Sequence, residues 1–433
     1  MIFGTDGLRA AVGQEPLTEG TILRLSQVLR NDVGSGAKIV IGRDTRRSGD
    51  SIFKWITRQL GGTKVFDLGI VPTPAVAYET FKRRAALGIM ITASHNPPSD
   101  NGLKFFNSQG LKVTYSRAQA WSDEVLSLEI TPPPDPVKAE LSPVNAYRNF
   151  ILSHFNAEAF RGLRVAFDFA HGAVTGLGQE LLTGLIPGAI FLGNYPDGDN
   201  INQGVGALHP EALIEVVKSK NLDAGFAFDG DGDRLIAVDQ QGVLHGDVLL
   251  YALKQLLVRQ GQKVEAIVGT ILCGLGFEQL LQKEGISLHR VAVGDQNVLA
   301  KMVSDAILLG GEPSGHLIQG DLFPAGDGLL AALRIAKGLT QDSHLLKNAR
   351  AAVPQFPIFE EAYRVRHKPP LESLKDVQQR LRALEEALGT TGRSILRYSG
   401  TEPKIRLFVE TPELDRHMSQ VQQLVLCIKE NLA

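Results

Sequence analysis

Short apolar runs alternate with amphipathic stretches over most of the chain. Lys38 to Gly42, Leu163 to Phe167 and Glu265 to Gly269 read as strands. Each is followed by a polar or glycine-containing turn and then by helical spacing, from about Ser48 to Leu60, near Gly176 to Leu185, and near Gly276 to Glu284. A second strand follows each helix: Lys64 to Asp67, Ala189 to Leu192, and Leu288 to Val293. Strand–helix–strand alternation predicts parallel pairing in α/β layers. Its recurrence predicts three similar α/β domains. The tail differs. Leu374, Val377, Leu381, Leu384 and Leu388 keep helical spacing up to Gly389. Strands follow at Arg393 to Arg397 and Lys404 to Glu410, and Thr411-Pro412 opens a last helix. That is a small α+β domain.

The expected boundaries are a stiff linker at Thr131-Pro132-Pro133-Pro134-Asp135-Pro136, a tight passage after Asp239, and the stretch Val353-Pro354-Gln355-Phe356-Pro357. They divide the chain into domains 1–140, 141–240, 241–352 and 353–433. With 433 residues, three or more domains fit a prior of ~150 residues each. A net charge of −2 without single-sign runs argues against nucleic-acid or membrane-surface partners. No apolar run approaches the ~20 residues of a spanning helix. A structured motif starting at Phe3 leaves no room for a leader. The two cysteines, Cys273 and Cys427, are far apart in apolar surroundings, which fits core packing and a cytoplasmic location.

The strongest chemical signal is Phe228-Asp229-Gly230-Asp231-Gly232-Asp233-Arg234, set between apolar strand-like segments at Ala224 to Phe228 and Leu235 to Val238. Three carboxylates alternate with glycines, whose backbone freedom lets the oxygens converge. Hard oxygen ligands suit Mg²⁺. A Ca²⁺ loop of the EF-hand type would need Gly at Arg234 and Glu at Gln240, so it fails.

Thr92-Ala93-Ser94-His95-Asn96-Pro97 follows the apolar strand Ala86 to Ile91 and puts Ser94 at a strand end, where α/β proteins place ligands. In extended chain His95 points away from Ser94, so these two are not expected to form a hydrolase dyad. A serine beside a metal site suits phosphoryl transfer. Arg397-Tyr398-Ser399-Gly400-Thr401-Glu402-Pro403-Lys404-Ile405-Arg406 reads as a phosphate clamp, with a Ser-Gly-Thr turn between two arginines. In Gly310-Gly311-Glu312-Pro313-Ser314-Gly315-His316, Glu312 and Ser314 suit sugar hydroxyls and His316 suits proton movement.

Together, Asp-Gly-Asp-Gly-Asp-Arg, Ala-Ser-His-Asn-Pro, Gly-Glu-x-Ser-Gly-His and Arg-x-Ser-Gly-Thr-Glu-Pro resemble the signatures of the α-D-phosphohexomutases, in the family's order from Phe3 to Glu410. Phe3-Gly4-Thr5-Asp6-Gly7-Leu8-Arg9 and Asp100-Asn101-Gly102-Leu103-Lys104-Phe105-Phe106 are most similar to its bacterial glucosamine-phosphate branch. The resemblance implies a four-domain architecture, with three similar α/β domains and a C-terminal α+β domain around a central cleft. It implies interconversion of glucosamine 6-phosphate and glucosamine 1-phosphate, on the route to UDP-N-acetylglucosamine, through a phosphoserine enzyme and a hexose 1,6-bisphosphate that is primer and intermediate. Carried over by residue, Ser94 resembles the phosphorylated serine, which with Asp229, Asp231 and Asp233 holds Mg²⁺. Arg9, Lys104 and His316 resemble the charged groups around the moving phosphoryl, Lys104 also a proton carrier; His95 and Arg234 complete the catalytic set. Glu312 and Ser314 resemble sugar-hydroxyl readers, and Arg397, Ser399, Gly400, Thr401 and Arg406 a clamp on the other phosphate. A homodimer is compatible with the resemblance, and the sequence does not fix the oligomeric state. Ala10, Gln296, Pro313 and Ala325 depart from the usual pattern. Gln296 and Pro313 bear on sugar preference, so a phosphomannomutase or phosphoglucomutase of broader range is the alternative, with a metal-dependent sugar phosphatase behind it.

Overall fold

The computed structural model describes residues 2–4, 7–133, 137, 139–399 and 403–432. Thr5 and Asp6 of the first motif, Pro134 to Pro136 of the expected linker, and Gly400 and Thr401 of the expected clamp lie outside them. The chain packs as two compact units, one of residues 1–272 with 288–351, the other of residues 273–287 with 352–433.

The larger unit carries three sheets. The first has six strands in the order Leu8–Ala11, Asp100–Phe106, Leu87–Ile91, Lys38–Arg43, Lys64–Ile70 and Ala139–Leu141. Lys38–Arg43 pairs in parallel with both its neighbours, as strand–helix–strand alternation requires. The helix Glu19–Val33 buries Ile22, Leu25, Val28 and Leu29 at helical spacing in the core with Ile39, Ile41, Ile89 and Ile91. Thr18 caps its start, its side chain accepting from Thr21 N, and Gly34 at φ 81° ends it with a bond to Arg30 O.

The second sheet runs Gly242–Leu244, Leu235–Asp239, Ala224–Phe228, Val165–Asp168, Ile190–Leu192, and the third runs Ser287–Val291, Ala266–Thr270, Leu309–Gly311, Leu317–Gln319, Phe323–Gly326. In each of the three sheets a parallel core is extended by antiparallel strands: Asp100–Phe106 on Leu87–Ile91, Leu235–Asp239 on Ala224–Phe228, and Leu317–Gln319 on Leu309–Gly311. The parallel pairing expected across the helices is found for Lys38–Arg43 with Lys64–Ile70 and for Val165–Asp168 with Ile190–Leu192, and the antiparallel strands are additions to it. The reason is connection length: a few residues can reverse the chain into an antiparallel partner, whereas a parallel return needs a crossover. These reversals carry Ser94, the Asp229–Asp233 run and Glu312 to His316.

In the smaller unit, Ile358–Arg364, Lys404–Glu410 and Arg393–Tyr398 form an antiparallel sheet. The helices Lys375–Leu388 and Leu414–Leu432 supply Val377, Leu384, Val421, Leu424 and Ile428 to a core with Ile405, Leu407 and Val409. The helix Leu275–Lys283 belongs to this unit: Leu275 N donates to Glu410 Oε1 (2.9 Å), and Arg393 Nη2 donates to the Cys273 carbonyl (2.6 Å). Among the described residues no helix is long and apolar enough to cross a membrane.

Candidate active site

Ser94 follows the strand Leu87–Ile91 and is fully buried, with φ 54° in the left-handed region. Its Oγ donates to Asp229 Oδ2 at 2.6 Å. The acidic loop turns on Gly232 (φ 72°), whose N donates to the Asp229 carbonyl. A Cβ on Gly230 would come within 2.6 Å of the Ser94 carbonyl, so the approach of the two loops requires glycine there.

Asp229, Asp231 and Asp233 are buried and each presents an oxygen within 4.8 Å of the others, a set able to hold a metal ion. Asp231 Oδ1 is buried without a hydrogen-bond partner, an arrangement a cation would satisfy. Lys104 Nζ, also buried, donates to Asp231 Oδ2 (2.7 Å) and Asp233 Oδ2 (2.6 Å), and Thr73 Oγ1 donates to Asp231 Oδ2. Burial, with repulsion from Asp231 and Asp233, pushes the Asp229 carboxyl up to about 7. Burial opposes ionisation of Asp233 as well, but His316 and Lys104 hold it well below the usual carboxylate range.

His316 stands between two carboxylates, Nδ1 2.9 Å from Glu312 Oε2 and Nε2 3.0 Å from Asp233 Oδ1, the latter a charge contact rather than an aligned hydrogen bond. Burial disfavours its cation; Asp233, aided by Asp295, outweighs this and lifts its pKa to about 10. Glu312 also accepts from Gly294 N (3.1 Å). Its carboxylate is therefore tied into the loop network, while Ser314 is exposed.

His95 requires a correction. Its Nδ1 lies 3.3 Å from Ser94 Oγ. The extended-chain expectation fails because Ser94 is not extended; its left-handed backbone turns adjacent side chains toward each other. Burial, Arg234 and Arg9 lower the His95 pKa to about 4, so it is neutral near pH 7. Arg9 lies on Leu8–Ala11 opposite Gly102, and Arg234 Nε is 4.0 Å from Asp229 Oδ2.

In the smaller unit Arg397 faces Arg406 across the sheet, and burial together with that facing charge lowers the Arg397 pKa. Ser399 N donates to the Lys404 carbonyl (2.8 Å), and Lys368 Nζ donates to the Ser399 carbonyl (2.6 Å). Glu360 Oε1 lies 4.0 Å from Arg406 Nη1, on the strand paired with that of Arg406.

The sequence reading missed Lys368, Thr73, Arg46 and Asn202. Arg46 follows a segment read only as a turn, and the two arginines around one acid in Arg43-Asp44-Thr45-Arg46 were the available signal. Lys368 and Asn202 stand in no motif. Lys112 Nζ also pairs with Asp295 Oδ2 (2.6 Å) beside a small cavity that Asp233 and Thr73 help line.

Four family models, described as phosphoglucomutase/phosphomannomutase α/β/α domains I, II and III and the C-terminal domain, match residues 1–129, 145–242, 245–356 and 360–426. A phosphoglucosamine mutase of Bacillus cytotoxicus is 37% identical over 441 residues, covering 99% of this chain and 98% of that relative. One of Bacillus cereus shows the same identity and coverage. A phosphoglucomutase/phosphomannomutase family protein of Burkholderia thailandensis superposes with TM-score 0.84 at 23% identity, over 100% of this chain and 98% of that one. The Aspergillus fumigatus N-acetylphosphoglucosamine mutase, solved in complex with GlcNAc-6P and magnesium, superposes with TM-score 0.69 at 15% identity, over 99% and 96% of the two chains.

Proposed function

The chain belongs to the phosphoglucomutase/phosphomannomutase family, and on that premise we propose that it interconverts glucosamine 6-phosphate and glucosamine 1-phosphate, supplying the latter toward UDP-N-acetylglucosamine. The observation that carries the chemistry is Ser94 Oγ, buried at 2.6 Å from Asp229 at the edge of the acidic cluster. The choice of sugar rests on the full-length likeness to the Bacillus phosphoglucosamine mutases.

In the proposed reaction, phospho-Ser94 gives its phosphoryl group to the free hydroxyl of a sugar monophosphate. The bond from phosphorus to Ser94 Oγ breaks as the bond to the sugar oxygen forms, and the sugar hydroxyl gives up its proton as Ser94 Oγ takes one up. The hexose 1,6-bisphosphate that results turns over, and its other phosphate returns to Ser94. Asp229, Asp231, Asp233 and an oxygen on Ser94 would hold Mg²⁺, which when bound supplies charge neutralisation for the moving group. Lys104, fixed as an ammonium between two carboxylates, acts as a positive charge beside that group. His316 holds Asp233 and Glu312 in place. Arg397, Ser399 and Arg406 grip the phosphate that is not reacting, and Gly400 and Thr401 belong to the same proposed clamp.

The test compares turnover of glucosamine 6-phosphate with that of mannose and glucose phosphates, with Mg²⁺ and a bisphosphate primer. The expected kcat/KM for the amino sugar exceeds the others by about tenfold or more. Ser94→Ala should lose turnover and the label taken up from a labelled bisphosphate. Near-normal turnover of that variant would overturn the phosphoserine route. A second reading, a hexose phosphomutase of broader range, is favoured by Gln296, which stands where the resembled family carries another residue and spends one Nε2 donor on the Val113 carbonyl. Equal kcat/KM for all three sugars would select it.

A further inference from the structure

Ser94 holds a backbone conformation that a non-glycine residue resists, at a cost on the order of 1 kcal/mol, so its surroundings must impose it. Arg46 is the group that reaches the loop from behind. Its side chain is fully buried and spends all five N–H donors. Nε donates to Asp44 Oδ2 (2.9 Å). Nη2 donates to the carbonyls of Ser94 (2.9 Å) and Asn96 (2.8 Å). Nη1 donates to the carbonyls of Asp100 (2.9 Å) and Pro97. One guanidinium thus gathers four carbonyls of a seven-residue loop onto a single plane.

Asp44 aims that plane and ties it to the nucleophile's other side. It accepts from Arg46 N (3.0 Å) and from Thr92 Oγ1 (2.7 Å), and Thr92 Oγ1 accepts from Ser94 N (2.8 Å). Both backbone polar groups of Ser94 are therefore held by one connected network. Asn202, at φ 61° in a loop beyond the second sheet, duplicates the clasp. Its Nδ2 donates to the Ser94 carbonyl (2.9 Å) and the Asn96 carbonyl (3.1 Å).

We propose that Arg46, seconded by Asn202, is a positioning residue that sets the Ser94 hydroxyl for phosphoryl transfer by clasping the carbonyls of residues 94–100. The proposal rests on the reading of Ser94 as phosphoryl carrier. Neither side chain contacts Ser94 Oγ, so both act through the backbone. Misplacing a reacting atom by about an ångström costs on the order of 100-fold in rate. Lysine at position 46 keeps the charge but has one nitrogen and three donors, and cannot span four carbonyls. Glycine at position 202 keeps the positive φ and removes only the amide.

The experiment measures kcat and KM for the sugar phosphate, together with the melting temperature, in Arg46→Lys, Asn202→Gly and Ser94→Ala. Arg46→Lys is expected to lower kcat about 100-fold and Asn202→Gly about tenfold, with KM within about threefold in both. Should Arg46→Lys fail to fold, Asn202→Gly decides alone. A kcat within about twofold of the parent in the folded variants, or a loss carried by KM, overturns the proposal while an inactive Ser94→Ala leaves the phosphoserine reading standing. An active Ser94→Ala overturns both.

Discussion

At the scale of single residues, the cluster around Ser94 is a balance of buried charges. Asp231 and Asp233 are held by one buried ammonium, Lys104. Removing one partner of a buried ionic group costs about 3–5 kcal/mol, because the other charge is left without compensation. Lys104→Met should therefore destabilise the protein by about that amount in EDTA. Saturating Mg²⁺ should return much of the loss, since a cation on the three carboxylates replaces the missing charge. Urea unfolding in the two conditions checks this; an equal loss in both would show that Lys104 and a metal do not share the same carboxylates. The acidic loop was legible because alternating glycines and aspartates leave a mark within seven residues. The contacts that hold it and the serine loop beside it were not. Lys104 pairs with Asp231, and Arg46 and Asn202 bond the Ser94 carbonyl, across sequence separations of 127, 48 and 108 residues. No local pattern announces such pairs, and the Ser94–His95 contact depends on a backbone angle that no side-chain type dictates.

At the scale of elements, the helix Gly328–Gln341 is started by Asp327, which is buried, accepts from Leu330 N (2.9 Å) and takes the Tyr147 hydroxyl on both oxygens. Burial raises its pKa from the ordinary 3.8 to about 6, with those hydrogen bonds opposing the rise. Because the folded value lies above the unfolded one, the stability this group contributes is complete below about pH 4 and is lost as pH rises through about 6. The loss is about 3 kcal/mol for a shift of this size. Asp327→Asn keeps an acceptor for Leu330 N but cannot ionise, so its unfolding free energy should fall less than the parent's between about pH 4 and 6.5. Parallel curves would show that Asp327 is not the titrating group. The strand–helix–strand segments were readable because each spans enough residues to show a period, and observed bounds such as Leu177–Leu185 and Ala266–Thr270 fall within a residue or two of expectation. Among the antiparallel additions Leu235–Asp239 was readable as an apolar run, but the short strands of the third sheet were not. Leu309–Gly311 and Leu317–Gln319 are three residues each, too short to show alternation, and both are buried throughout.

At the scale of the whole molecule, the chemistry proposed for the acidic cluster belongs to the larger unit, where loops of three sheets meet: Ser94 from the first, Asp229 to Asp233 from the second, Glu312 and His316 from the third. The smaller unit has its own core and its own pair of facing arginines, Arg397 and Arg406. A ligand that binds only the folded state stabilises by an amount set by its concentration over its Kd, about 2.7 kcal/mol at a hundredfold excess. Mg²⁺ bound at the three aspartates should therefore slow amide exchange in the segments it ties together: 92–104, 224–238 and 309–319. Exchange in the strands Ile358–Arg364 and Lys404–Glu410 should stay the same with Mg²⁺ or EDTA, because none of the carboxylates in question comes from that unit. Hydrogen exchange read by mass spectrometry distinguishes the outcomes without any assay of turnover. Protection that rises equally in both units would mean that the ion acts elsewhere or that the two unfold together. Protection confined to the Asp229–Asp233 segment would mean that the ion orders its own loop and leaves the serine and histidine loops as they were. Only the joint response of all three segments fits a metal that completes a site built from three sheets.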